Sequence, residues 1–292
     1  METGNPALGI SYCVVSFVLF VLNGVVLKVL ISHKEYKTNT YRIIKNMCVA
    51  CMFQLLPFFL GGLMTLTNTS FHYYIDRVFG VLIQSGWFLY LALSLTLAID
   101  RLVIFAILKT FTFKDKITNC LLVVSWLFWL FTAVVLSLPG FGYTFVAAEH
   151  YLVMWIGTNE NGSFIMARAE SYFDLIVLAI VLSIYVIVCG YLVKMKKSSS
   201  VQSKSFTVEI RIFLVAVISF LYESLFIVYS FWLPPFSADQ RVMDIYINLA
   251  WMVDCGLFAA ATLIINKSLR QKVLELMGTK KRSATVITLA SR

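Results

Sequence analysis

Long runs of Leu, Val, Ile and Phe alternate with short polar segments along the whole chain. Seven runs stand out, at roughly 8–31, 44–66, 78–104, 117–138, 171–193, 211–233 and 242–265. A bilayer core about 30 Å thick takes about 20 apolar residues to cross as a helix. Lipid offers no partner to an open strand's backbone groups, so each run is expected to be helical. The predicted fold is therefore all-α, a seven-transmembrane helix bundle over 1–277 followed by a cytosolic tail, 278–292. The first run begins at Leu8 after a head without Lys or Arg, and reads as a span that is kept, not a cleaved signal. Beyond the seventh run, Leu269, Val273, Leu276 and Met277 recur at helical spacing against Lys267, Arg270 and Lys272. That pattern predicts a short amphipathic helix over 266–277 lying on the inner leaflet. The stretch 139–170, with Pro139, Gly140 and Gly142, reads as an outer loop, and 194–210 as a short basic, Ser-rich connection.

Charge orients the bundle. Of the 24 Lys and Arg residues, 21 fall on one side of the seven-span arrangement, and Arg77, Arg168 and Arg241 on the other. Basic flanks stay in the cytosol, which puts the N-terminus outside and the C-terminus inside. Two Asn-x-Ser sequons, at Asn68 and Asn161, fall on the predicted outer side, as glycosylation requires; a third, at Asn266, lies on the cytosolic side. The composition, 60% apolar and 13% charged with a mean hydropathy of +0.85, leaves no polar domain on which the net charge of +9 could bind nucleic acid. The six cysteines all lie within or beside apolar runs, so neither a disulfide framework nor a metal site is expected.

Several residues carry chemistry out of keeping with a lipid-embedded helix. Asp100-Arg101 lies at the cytosolic mouth of the third run, where a carboxylate beside a guanidinium either switches between partners or simply marks the interface. Trp87, Tyr90, Ser94 and Arg101 fall near one line at 100° per residue, which suits a cavity lining as well as ordinary packing. Glu223 and Asp254 each lie 12 residues in from the start of their runs, about 18 Å along a helix. That depth puts Glu223 in the outer half of the membrane and Asp254 in the inner half. An acid at such depth must face the bundle interior, as a ligand contact, as part of a conformational relay or as an interhelical hydrogen-bond partner. Trp251, one turn before Asp254, is a further candidate for the pocket wall.

Seven spans, an outer N-terminus and Asp100-Arg101 closing the third run resemble the G-protein-coupled receptor plan, with Asn23, Asn46 and Trp126 in fitting positions. More specifically, Asn39-Thr-Tyr-Arg-Ile-Ile44, Gln54-Leu-Leu56, Gly61-Gly62, Phe71-His-Tyr-Tyr74, Gly80, Trp87 and Leu97-Ala-Ile-Asp-Arg101 resemble the nematode serpentine chemoreceptors, class T above all. The resemblance is strongest over 37–105 and holds in outline to 277. It implies a multi-pass plasma-membrane receptor, in sensory neuron cilia, that takes a small environmental molecule and couples to a heterotrimeric G protein without a cofactor. The chain departs from rhodopsin-like receptors at Cys51, where helix 2 usually carries an Asp, and at Asp76, where a disulfide cysteine usually stands. Leu102 follows Arg101 in place of Tyr, the sixth run lacks its proline motif, and Phe258-Ala-Ala-Ala-Thr262 replaces Asn-Pro-x-x-Tyr.

Two other classes compete. An enzyme is disfavoured because His33, His72 and His150 all lie in loops or at interfaces and no intramembrane histidine could hold a metal; a retinal-binding photoreceptor is set aside too, since the seventh run has no lysine for a Schiff base. A proton- or ion-coupled transporter or channel remains open, since buried acids serve transport too. It would normally show repeated halves and broken helices, and no repeat is visible.

Overall fold

The third apolar run becomes the axis of the molecule. The structure, a computed structural model, describes residues 6–69, 71–107, 111–145, 156–157, 161–198, 204–234, 237, 240–276 and 278. Seven of its helices are long and apolar enough to cross a membrane: α1 (Pro6–Ser32), α2 (Asn39–Thr67), α3 (Tyr73–Leu102), α4 (Phe111–Ser137), α5 (Asn161–Ser198), α6 (Lys204–Trp232) and α7 (Gln240–Ile265). A short α8 (Lys267–Leu276) follows, and a two-residue hairpin, β1 (Tyr143–Thr144) with β2 (Ile156–Gly157), crosses the outer face. Helix α3 packs against α2, α4, α5 and α6, so it is buried nearly all round, as an apolar helix without a polar face should be.

The peripheral helices turn one face outward. On α4, Val123, Leu127, Leu130, Phe131 and Val134 are exposed, and in lipid that costs nothing. The inside carries the polar groups, Asn23, Gln54, Gln84 and Ser94 among them. Tight helix pairing comes from small residues, which let backbones meet. A Cβ added at Gly62 of α2 would lie 2.9 Å from the Cys13 nitrogen of α1 and 3.0 Å from the Gly9 carbonyl, so that seam admits nothing larger.

The expected spans correspond to helices, and the connections are more helical than expected. Helix α5 begins at Asn161, ten residues before the expected 171, which corrects the reading of 161–170 as loop. Its first turns put the polar Ser163, Glu170 and Asp174 on the buried side, where apolar residues would have announced a span. The 194–210 connection is also largely helix, because α5 runs to Ser198 and α6 starts at Lys204. Helix α2 starts at Asn39, one turn earlier than expected. Of the outer loop, 146–155 (with His150) and 158–160 lie outside the described residues, as do Ser70, 199–203, Met277 and the tail apart from Gly278.

The interfacial helix is present as α8. Its apolar stripe, Leu269 and Val273, is buried, and the guanidinium of Arg270 donates to the Ile264 carbonyl at the end of α7 (2.9 Å). Lys272 pairs with Glu35 in the turn between α1 and α2 and sits 5.0 Å from the centre of the Tyr36 ring. A cation over an aromatic face and an ion pair thus fix α8 from one side.

Candidate functional site

At the basic end, Arg101 is fully buried and holds three helices together. Its guanidinium lies 2.5 Å from the Asp100 carboxylate of α3 and 2.5 Å from Glu209 of α6, and it also donates to the Thr40 hydroxyl of α2. The Thr40 hydroxyl in turn donates to Asp100 (2.8 Å). A buried guanidinium needs this density of acceptors, because charge removed from water is costly unless paired and hydrogen-bonded. Thr40 and Glu209 were not anticipated from sequence. Thr40 falls in the turn by which α2 exceeds its expected span, and Glu209 in the part of α6 read as a connection.

In the middle of the bundle the expected pocket residues do converge. The rings of Trp87 (α3) and Trp251 (α7) lie 5.6 Å apart, Phe226 of α6 stands 5.7 Å from Trp87, and Tyr90 stacks on Trp87 at 6.4 Å. The Trp251 indole N–H donates to Gln54 (2.7 Å), which itself donates to the Gly86 carbonyl of α3. Ser94 donates to Glu223 at 3.4 Å. A cavity of about 10 Å³ beside this pair is lined by Ser219, Tyr185 and Phe258. It has room for about one water molecule and is far too small for an odorant. Asp254 is equally buried, and one of its carboxylate oxygens, like the Tyr90 hydroxyl, makes no hydrogen bond.

Nearer the outer face, α5 contributes two acids that sequence reasoning missed. Glu170 and Asp174 are four residues apart on one helical face, and both are buried. Asp174 accepts from the Trp87 indole N–H (3.2 Å), and Glu170 from the Tyr143 hydroxyl of β1 (3.1 Å). Desolvation first, and Glu170 next, raise the Tyr143 phenol well above its ordinary pKa, so it stays a donor. Once 161–170 is read as loop, Glu170 looks like an end charge and its depth is hidden.

The outer hairpin is pressed onto α3. A Cβ at Gly80 would come 2.0 Å from the Tyr143 carbonyl, so only glycine lets β1 lie there. Four residues earlier, the buried Asp76 carboxylate accepts from the Phe145 N–H (2.7 Å) and from the Thr144 hydroxyl. Beside it, Arg77 donates to the carbonyls of Leu136 (3.1 Å), Leu138 (3.2 Å) and Phe141 (2.7 Å), capping the carboxyl end of α4. All six cysteines are free thiols. The expected glycosylation positions, Asn68 at the left-handed cap of α2 and Asn161 at the start of α5, are both exposed.

A family model for the serpentine type 7TM GPCR chemoreceptor Srt matches residues 1–286. Among solved structures, squid rhodopsin superposes with a TM-score of 0.71 over 96% of this chain and 88% of that one, at 13% identity, a likeness of fold alone. No curated protein matches the sequence.

Proposed function

Given that the chain belongs to the Srt family of serpentine seven-transmembrane chemoreceptors, we propose that it is a chemosensory receptor taking a small environmental molecule among α3, α5, α6 and α7 and activating a heterotrimeric G protein. The plasma membrane, at sensory endings, is the setting this reading implies. The observation that carries it is the Arg101 cluster, which ties the cytosolic ends of α2, α3 and α6. While Glu209 holds Arg101, α6 cannot swing out to admit a partner helix. A ligand that favours the parted arrangement shifts the population in proportion to its differential affinity for the two states.

The binding end of this reading rests on Trp87, Tyr90, Trp251, Glu223 and Asp254, joined by Glu170 and Asp174. The aromatic cluster spans α3, α6 and α7, so a molecule entering between its rings must move these helices relative to one another. That links occupancy to the cytosolic cluster through the rigid body of α3. The test is Arg101→Ala in cells reporting G-protein activation, against a panel of environmental odorants. Once freed from Glu209, the Arg101 guanidinium is itself the contact for the partner helix, so ligand-driven signalling should fall to background with surface expression retained; signalling equal to wild type would remove Arg101 from the switch.

The buried acids favour a second reading, a proton- or ion-coupled carrier. Currents or substrate flux that persist without any G protein would support it.

A further inference from the structure

We infer that the outer half of the bundle is built for a small organic cation, an ammonium group received between Glu170 and Asp174 against the Trp87 indole. This deepens the ligand-binding reading above and rests on it.

The inference starts from two buried acids that no basic side chain accompanies. Glu170 is 4% exposed and Asp174 0%, and their i, i+4 spacing places the two carboxylates side by side, where like charges repel. Among the described residues neither forms an ion pair. The outer basic residues are spent elsewhere: Arg77 is committed to three carbonyls of α4 and its loop, and Arg168 is exposed on α5. The side chain of Arg241 lies outside the described residues.

A second observation comes from hydrogen bonding. Asp174 uses one oxygen on Trp87 and leaves the other without a partner. Gln84, wholly buried one turn before Trp87 on α3, directs its amide at the Glu170 carboxylate, which can accept from its Nε2, while its Oε1 has no donor. Buried polar atoms are nearly always paired, so open acceptors at Asp174 and Gln84 mark a place where a donor is missing. An ammonium supplies up to three donors and a positive charge, which suits these oxygens; an anion would meet only repulsion. The Trp87 indole N–H and the Tyr143 hydroxyl hold the same acids in place through hydrogen bonds.

The experiment uses the full-length chain in lipid nanodiscs and reads thermal stability with two matched probe pairs. Cyclohexylmethylamine is compared with cyclohexylmethanol, and phenethylamine with 2-phenylethanol. At least one ammonium should bind tenfold or more tightly than its neutral counterpart, and the double variant Glu170→Gln/Asp174→Asn should erase that preference. If neither ammonium outperforms its alcohol in the wild-type protein, the inference is overturned whether or not the variant folds. A preference that survives the double variant also overturns it, by moving the cation elsewhere. Because no G protein is needed, this result is separate from the receptor reading. Arg101→Ala signalling equal to wild type, with the ammonium preference intact, would sink the receptor switch and leave the cation site standing, and the reverse outcome would sink the cation.

Discussion

Arg101 and Glu209 meet at 2.5 Å across the cytosolic end of the bundle, joining the last turn of α3 to the second turn of α6. The Arg101 side chain is fully buried and that of Glu209 is 27% exposed, so water reaches one side of the pair. Glu209→Gln should therefore weaken the closed arrangement without unfolding the protein. A partly exposed pair is worth up to about 1 kcal/mol, about a fivefold change in population. Ligand-free G-protein activation, normalised to surface expression, should rise by about that factor; an unchanged or lower basal level would mean that the pair does not hold the receptor shut.

Gly80 offers a sharper steric test. Gly80→Ala places a methyl against the Tyr143 carbonyl and must displace β1 from α3. Overpacking of this kind costs about 1–3 kcal/mol. Gly190→Ala is the control, since nothing lies within 4 Å of its added Cβ on the exposed side of α5. There the helix should gain about 0.5–1 kcal/mol from reduced chain entropy. Thermal denaturation of the two purified variants should shift in opposite directions.

Asp76 anchors the same hairpin from above. Asp76→Ala removes the acceptor of both the Phe145 N–H and the Thr144 hydroxyl. Hydrogen bonds to a charged group contribute about 1.5–3 kcal/mol each, so protease sensitivity in the outer loop should rise well before global melting changes. Cleavage rates identical to wild type would show that β1 is held by packing alone.

One pH dependence follows from α8. The hydrogen bond from Lys272 holds the Glu35 carboxyl below its ordinary 4.5, against a smaller opposing effect of desolvation. A carboxylate with a depressed folded pKa stabilises docking fully above 4.5, and the contribution fades as pH falls through the folded value. Because the Glu35 side chain is 51% exposed, the effect is small and screened by salt. A spin label on α8 should report mobility that rises as the pH falls below 4.5 in the wild type. Lys272→Ala should be mobile throughout; a wild-type response unaltered by that change would rule the pair out.

The spans are legible in the sequence because lipid demands continuous apolar helix, and the 21-to-3 division of basic residues leaves little freedom in their number. Trp87, Trp251, Ser94 and Glu223 were visible for the same reason, as groups out of keeping with their surroundings. What escaped notice lies where helices leave the hydrocarbon. Glu170, Thr40 and Glu209 belong to polar outer turns, where composition looks like loop and only tertiary packing reveals burial. Gln84 was inside a recognised span, yet where its amide points is a property of geometry alone.

The carboxylate at Asp76 has one more implication. A receptor whose outer hairpin is welded by a disulfide depends on an oxidant to build it, and reductant dismantles it. Here the tether is a latch of ordinary hydrogen bonds between Asp76, Thr144 and Phe145, with every thiol free. It needs no redox step to form and survives dithiothreitol. Hydrogen bonds of this kind also break and re-form on the timescale of loop motion, which a covalent bridge cannot do.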